Sequence, residues 1–390
     1  MTGNAAEETC GSCGEWKALL RRAAELAARG AGRVEPNPRV GALALEEGKI
    51  VGMGWHERYG GPHAEEAALE DARNKGGRPD TLVVTLEPCA SEGMEKKRHP
   101  CTSLLVAAGI RRVILGEIDP DPRHQGAGIR ILREKEVEVL GPFPQDETRN
   151  LLERFRIALS LDRPWIHGKW AMTLDGKAAT REGVSKWITG PEARREAHRL
   201  RAAVDAVAVG IGTVLRDDPL LTVREVPGRT PLRIVFDSDL RTPGTSSLIR
   251  SLDRGSVLLV HGEGLDSGRG KVLEDLGAEL LAVPPAEDGR PRLDLACRAL
   301  RSRGIRSLLV EGGPRLLGAF MDRAFLDQVT AFQAPILFGG GKAPGPMGGT
   351  GVRTPAEAVP LEEIRVRRFG ADLAITGFTK TPSLEGGTEA

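Results

Sequence analysis

The sequence predicts two consecutive α/β domains, and three observations lead there. Strand-like apolar runs alternate with helix-patterned segments through both halves, which is the pattern of helices layered on sheets. At 390 residues, with 40% hydrophobic and 28% charged content, the chain is long enough for two cores of ordinary size. Between the halves lies an amphipathic helical pattern at 146–159, punctuated by Asp162-Arg163-Pro164. These features set a first domain at 14–145, a linker helix at 146–162 and a second domain at 163–380. A loose tail follows at 381–390, where Pro382 and Gly386-Gly387-Thr388-Glu389-Ala390 offer little to bury.

In the first half, residues 16–29 carry Ala and Leu at helical spacing and run into Gly30 and Gly32, a glycine stop. The short apolar runs 40–45 and 50–55 flank Glu46-Glu47-Gly48-Lys49 and read as a hairpin. His63 opens a helix to 72; a strand at 81–86, a helix at 101–108, a strand at 113–116, a helix at 126–135 and a strand at 137–140 follow. In the second half the strands are 165–172, 206–210, 232–236, 257–260, 308–310 and 329–337, with helices between several of them. Cys297 falls in an apolar-periodic stretch and reads as core.

His63-Ala64-Glu65, Pro88-Cys89 and Cys101 carry the chemistry of the first half. A catalytic zinc keeps three protein ligands and an open position for water, and one imidazole with two thiolates supplies such a set. The metal lowers the pKa of its water, and a carboxylate that is not a ligand must then move protons; Glu65 fits that duty. Zinc deaminases of nucleobases carry H-x-E and a later P-C-x-x-C. The first half of that signature is present here, whereas eleven residues, 90–100, separate the two cysteines. The alternatives are a closed structural zinc site, or unrelated thiols in a reduced protein. His99 is either a fourth ligand or a group on the substrate loop. The zinc is expected between two helix N-termini, where the positive dipole ends favour thiolate. Cys10-Gly11-Ser12-Cys13 lies ahead of the first helix in this reading, as a frayed end rather than a metal or redox pair.

Composition narrows the partners. With 55 basic against 54 acidic residues, the net charge of +1 gives no basic excess for phosphate backbones, so a small substrate is expected and nucleic acid is not. No apolar run approaches a membrane span, and Met1-Thr2-Gly3-Asn4-Ala5-Ala6-Glu7-Glu8 lacks a basic segment ahead of an apolar one, so a cytoplasmic location is expected. In the second half, Val209-Gly210-Ile211-Gly212-Thr213 and Val310-Glu311-Gly312-Gly313-Pro314 are glycine-bearing turns after strands. Glycine lets backbone approach a phosphate, and a helix opening at Pro314 presents amides to an anion. Neither is a dinucleotide fingerprint; in a G-x-G-x-x-G counted from Gly210, the sixth position is Leu215.

Longer motifs decide what the turns leave open. Pro36-Asn37-Pro38-Arg39-Val40-Gly41-Ala42, Gly60-Gly61-Pro62-His63-Ala64-Glu65, Val84-Thr85-Leu86-Glu87-Pro88-Cys89, Pro100-Cys101-Thr102 and Ala107-Ala108-Gly109-Ile110 resemble the deaminase half of the bifunctional riboflavin-biosynthesis deaminase/reductase family. Lys169-Trp170-Ala171-Met172-Thr173-Leu174-Asp175-Gly176-Lys177, Ser185-Lys186-Trp187-Ile188-Thr189-Gly190, the run 209–224 and Glu311-Gly312-Gly313-Pro314 resemble its reductase half. The resemblance spans about 16–378. The Cys89–Cys101 segment is longer than the family's usual spacing and lacks its paired histidines.

The resemblance implies a cytidine-deaminase-like three-layer domain followed by a dihydrofolate-reductase-like α/β domain. It implies zinc-dependent deamination of 2,5-diamino-6-(5-phosphoribosylamino)pyrimidin-4-one, then NADPH-dependent reduction of the ribosyl group to ribityl, in a homo-oligomer. Carried onto this sequence, it gives zinc to His63, Cys89 and Cys101 and proton transfer to Glu65. NADPH goes to Ala171, Trp187, Thr213, Asp217, Ser238, Gly313, Pro314, Arg315, Leu316, Leu317, Gly318 and Ala319. The small phosphorylated pyrimidine goes to Asn37, Ser185, Arg201, Leu221, Arg224 and Glu311. Asn37 is otherwise an ordinary turn between Pro36 and Pro38; the sequence does not single out the group that protonates the reduced sugar, for which Lys169 and Asp217 are candidates. Two other readings are a reductase whose lengthened cysteine loop has lost deamination, and a non-catalytic module holding structural zinc and a nucleotide.

Overall fold

The computed structural model describes residues 9–31, 33–90, 100–264 and 267–379, with backbone alone for 9–13 and 267. The chain divides into two compact units, 1–160 and 161–390.

The first unit contains α1 (Thr9–Ala27), β1 (Gly41–Glu46), β2 (Lys49–Trp55), α2 (Ala64–Asn74), β3 (Thr81–Leu86), α3 (Cys101–Ala107), β4 (Arg112–Glu117), α4 (Ala127–Glu134), β5 (Glu138–Leu140) and α5 (Asp146–Ser160). The sheet order is β2-β1-β3-β4-β5; β1 is antiparallel to β2 and β3, and β3, β4 and β5 run parallel. Period-two alternation sends Leu43, Leu45 and Val83 toward Leu20, Ala23 and Leu26 of α1, and Ala42, Ala44, Leu82 and Val84 toward Ala64, Ala68, Leu105 and Leu132. Every residue of β3 is buried, as a strand covered on both faces requires. Helix α5 joins this unit by packing Leu151 against Ala24 and Ala27 of α1. The helix α1 begins at Thr9, so Cys10 and Cys13 lie inside it rather than ahead of it. A helix nucleated by the buried face of Leu20, Ala23 and Ala27 extends backward at little cost.

The second unit contains β6 (Trp165–Thr173), α6 (Pro191–Ala202), β7 (Ala206–Gly210), α7 (Ile211–Asp217), β8 (Leu232–Phe236), α8 (Ser247–Arg250), β9 (Val257–Gly262), α9 (Ser267–Asp275), β10 (Glu279–Val283), α10 (Leu293–Ser302), β11 (Ser307–Glu311), α11 (Pro314–Met321), β12 (Gln328–Ala334), β13 (Leu361–Phe369) and β14 (Asp372–Thr379). Its nine-stranded sheet has the order β10-β9-β8-β7-β11-β6-β12-β14-β13, parallel from β10 to β12 and closed by an antiparallel hairpin. Leu300, Leu317 and Phe320 cover one face; Val214, Leu248 and Leu273 cover the other.

Four departures from the sequence reading have physical causes. β10 is a sheet edge with a half-exposed pattern. β13 is mostly charged and exposed, with a bulge between Glu362 and Arg365, so alternation did not announce it. β14 carries Gly377, a weak strand former. The strand expected at 329–337 ends at Ala334, because Pro335 has no N–H for the ladder. The tail 381–390, the greater part of the Cys89–Cys101 loop and His99 lie outside the described residues.

Candidate active sites

In the first unit the site grows from two helix starts and one strand end. His63 is the N-cap of α2, Cys101 opens α3 behind Pro100, and Cys89 follows β3 through Pro88. Helix α2 lies close on β2 because Gly54 has no side chain: a Cβ there would meet Ala68 N at 2.3 Å and Ala64 O at 2.5 Å. His63 Nδ1 is 3.2 Å from Cys101 Sγ and 3.6 Å from Cys89 Sγ, and the three ligand atoms fall within 4.8 Å of one another. Tetrahedral zinc with bonds of about 2.0–2.3 Å places its ligand atoms about 3.5 Å apart, so this donor set fits zinc. The hydrogen bond between the sulfurs lowers the Cys89 pKa and raises that of Cys101. The pair therefore shares one proton, which a divalent cation would displace.

Glu65, in the first turn of α2, is 3% exposed. Burial raises its pKa while His63 pulls the other way, so the carboxyl is poised to hold a proton. Asn37 is half-buried in a turn where its backbone N–H donates to Val34 O at 2.9 Å.

Glu87 escaped the sequence reading as a positioning group. Its carboxylate accepts from the amides of Asp119 (3.1 Å), Gly126 (2.9 Å), Gly128 (2.8 Å) and Ile129 (3.3 Å), tying the Cys89 segment to the loop ahead of α4. Gly128 permits this approach, since a Cβ there would lie 2.1 Å from Pro88 O. A carboxylate two residues before a ligand cysteine was the available signal.

In the second unit a cleft of about 1590 Å³ opens over the sheet. That exceeds the roughly 300–1,000 Å³ that holds one drug-sized ligand, and it admits a dinucleotide with a second molecule. Ala171, Trp187, Thr213, Asp217, Ser238, Gly313, Pro314, Arg315, Leu316, Leu317 and Ala319 line it, as do Ser185, Arg201, Leu221, Arg224 and Glu311. Gly318 does not: it faces Gly348 backbone, at 2.2 Å from a would-be Cβ. Gly312 and Gly313 turn with φ of 70° and 73°, open to glycine, and deliver the N-terminus of α11 to the cleft wall. That amide-bearing turn, beside the cleft-lining Arg216, Arg241 and Arg315, fits the pyrophosphate and phosphate of NADPH.

The deepest polar group is Glu311. Arg201 grips it with Nε and, at 2.8 Å, with Nη2; Lys169 Nζ lies 3.8 Å away. Burial would raise the Glu311 pKa, but Arg201 overrides that and brings it to about 2. The Arg201 fork is thus taken by Glu311 rather than open to a phosphate. Arg224 is the open one, exposed at the cleft, with its amide donating to His198 Nδ1 at 3.3 Å and Nη1 to Thr222 Oγ1 at 2.8 Å. Burial and Arg201 lower the Arg224 pKa, a positive field that favours an anion. Asp217 accepts from Ser185 Oγ at 3.3 Å, and its carbonyl from Lys186 Nζ at 2.6 Å. Trp187 is 68% exposed beneath the Arg194 guanidinium, 4.7 Å from its ring centre.

Known proteins agree with this division. The model described as the cytidine and deoxycytidylate deaminase zinc-binding region matches residues 14–117, and the RibD C-terminal domain matches 164–375. The chain is 38% identical over 360 residues to the riboflavin biosynthesis protein RibD of Aquifex aeolicus, covering 92% of this chain and 97% of that one. It is 32% identical over 369 residues to the Escherichia coli protein of that name, at 91% and 97% coverage. Among solved structures it is similar to Acinetobacter baumannii RibD, with a TM-score of 0.68, 30% identity and coverage of 95% and 100%. It is also similar to a diaminohydroxyphosphoribosylaminopyrimidine deaminase/5-amino-6-(5-phosphoribosylamino)uracil reductase from Thermotoga maritima, with a TM-score of 0.65, 32% identity and coverage of 95% and 100%. The first unit is cytidine-deaminase-like and the second dihydrofolate-reductase-like. Their order, their sites and this likeness along nearly the whole length place the chain in the RibD family of riboflavin-biosynthesis deaminase/reductases.

Proposed function

We infer that this chain performs two successive steps of riboflavin synthesis on one small phosphorylated pyrimidine. It deaminates 2,5-diamino-6-(5-phosphoribosylamino)pyrimidin-4-one, then reduces the ribosyl group to ribityl. The observation that carries the reading is the convergence of His63, Cys89 and Cys101 beside the buried Glu65.

Zinc, when bound, supplies an activated water near neutral pH. His63, Cys89 and Cys101 hold it, and α2 and α3 present their N-termini there, which stabilises thiolate. Glu65 takes the proton of the attacking water and delivers one to the departing amine; its raised pKa suits both tasks. Asn37 offers its amide to the pyrimidine.

NADPH, when bound, supplies the hydride. The α11 turn and Thr213, Asp217 and Ser238 hold the dinucleotide, and Arg224 takes the substrate phosphate. Arg201 acts by fixing Glu311, and the Arg201–Glu311 pair orients the opened sugar. Lys169 protonates the sugar oxygen: burial lowers its pKa, which makes its ammonium a readier donor, and Glu311, 3.8 Å away, opposes that shift. Asp217, engaged with Ser185, is left to the cofactor.

Among the described residues no helix is long and apolar enough to cross a membrane, and a cytoplasmic homo-oligomer suits a chain that uses NADPH and a phosphorylated metabolite. The test is to give the purified protein the aminated pyrimidine phosphate with NADPH and follow ammonia and oxidised cofactor separately. Release of one ammonia for each NADPH consumed supports the reading. NADPH use only when an already deaminated substrate is offered would leave a reductase alone.

A further inference from the structure

Resting on the reading of Arg224 as the phosphate ligand, we propose that His198 is a positioning residue for the reduction, whose neutral imidazole holds the loop that presents Arg224 to the cleft. That loop joins α7 to β8 and has no regular structure over 218–231. Its backbone is fixed by four hydrogen bonds. Arg233 Nη1 donates to Leu220 O at 3.1 Å, Arg201 Nη1 to Thr222 O at 3.4 Å, the Val223 N–H to Thr230 Oγ1 at 3.3 Å, and the Arg224 N–H to His198 Nδ1 at 3.3 Å. Leu221 sits at φ 53°, a conformation that residues other than glycine adopt rarely, so the loop keeps its path only while its anchors hold. The bond from Arg224 Nη1 to Thr222 Oγ1 is internal to the loop and does not fix it to the wall. His198 is therefore the anchor at the phosphate-binding residue itself.

His198 stands on α6 one turn ahead of Arg201, and both line the cleft. The residue is 5% exposed, so its bond to Arg224 is shielded from water. Because Nδ1 accepts, the ring hydrogen lies on Nε2, which is 3.9 Å from Glu225 Oε1. The charges acting on the ring are Arg201 of its own helix, Arg224 and Glu225 of the loop, and Glu311 of β11. Burial and the two arginines lower the His198 pKa, against the opposing pull of Glu225 and Glu311, so the ring is neutral at neutral pH and keeps its acceptor lone pair. Protonation puts a hydrogen on Nδ1 facing the Arg224 N–H, and the anchor is lost. The arginines, the carbonyls and the Thr230 hydroxyl do not titrate between about pH 7.5 and 5.5. Among the four anchors, only His198 changes from acceptor to donor in that range.

Reduction of the deaminated substrate by the full chain, with hydrogen exchange across 222–226 followed in the same preparations, tests the proposal. His198→Leu should raise KM for the pyrimidine about 10-fold, with kcat and the KM for NADPH within about 2-fold of wild type, and should speed exchange at Arg224 at least about 10-fold. His198→Asn should restore both, because Asn Oδ1 takes the place of Nδ1 as the acceptor. From about pH 7.5 to 5.5 the wild-type KM should rise more steeply than that of His198→Asn; the substrate phosphate titrates in both, so the difference belongs to the imidazole. A leucine variant with wild-type KM or wild-type exchange, or an asparagine variant no better than leucine, overturns the proposal. So does a wild-type KM that falls in acid, as a direct contact between imidazolium and phosphate would give. Exchange that behaves as expected in a wild-type chain that oxidises no NADPH would overturn the functional reading beneath the proposal, a result distinct from those failures.

Discussion

At the scale of single residues, the two sites make opposite demands on charge. Cys89 and Cys101 share a proton that zinc must displace, so Cys89→Ser or Cys101→Ser should bring metal content close to zero and abolish ammonia release. NADPH oxidation with the deaminated substrate should continue, and metal analysis with the two assays checks both halves of that expectation. Glu311 is a fully formed charge held by Arg201. Glu311→Gln leaves Arg201 and Lys169 buried without their counter-ion, so reduction should fall at least about 100-fold and the second unit should lose about 3–5 kcal/mol. Steady-state kinetics and urea denaturation measure the two effects. The gathering of His63, Cys89 and Cys101 with Glu65 beside them was legible because H-x-E and Pro-Cys are patterns written in adjacent residues. The engagement of Arg201 by Glu311 was not, since 110 positions separate them and only β11 and α6 bring them together.

At the scale of elements, the deaminase site is only as rigid as the loops that Glu87 holds. Four amides converge on that carboxylate, and replacing Glu87 by Ala would free Asp119, Gly126, Gly128 and Ile129 at once. Zinc affinity should drop about 10–100-fold with the ligands themselves intact, which a competition titration with a chelator reads directly. Strands and helices with a buried side declared themselves in the sequence. β3, buried along its whole length, was read at its observed limits, and α11 at its observed start, Pro314. β10, β13 and β14 were not read at all. They form an edge and a hairpin with an exposed face, where burial imposes no pattern on the side chains. The non-local bond network around Glu87 was equally silent, because backbone amides leave no trace in residue identity.

At the scale of the whole molecule, acid should damage the second unit in two stages. His167 is fully buried, with Nε2 2.9 Å from Thr330 Oγ1, and burial depresses its pKa to about 4 although Glu311 works against this. Because the folded state disfavours the imidazolium, stability is full above about pH 7 and falls as the pH drops from 6.5 to 4, by on the order of 3 kcal/mol. Glu311, with its pKa lowered to about 2, adds a loss that begins only as the pH falls below about 4.5. Urea midpoints of the second unit against pH should show both stages, and His167→Asn should remove most of the first, leaving what His198, also lowered by burial, contributes. The proposed function requires one chain to carry two separable chemistries, with Glu65 moving protons beside a metal that it does not bind. The most direct measurement is on Glu65→Gln, assayed for bound zinc, ammonia release and NADPH oxidation in one preparation. The expected result is full zinc, ammonia release reduced about 100–10,000-fold, and unchanged reduction of the deaminated substrate. Ammonia release at the wild-type rate, or loss of zinc with the substitution, would contradict it.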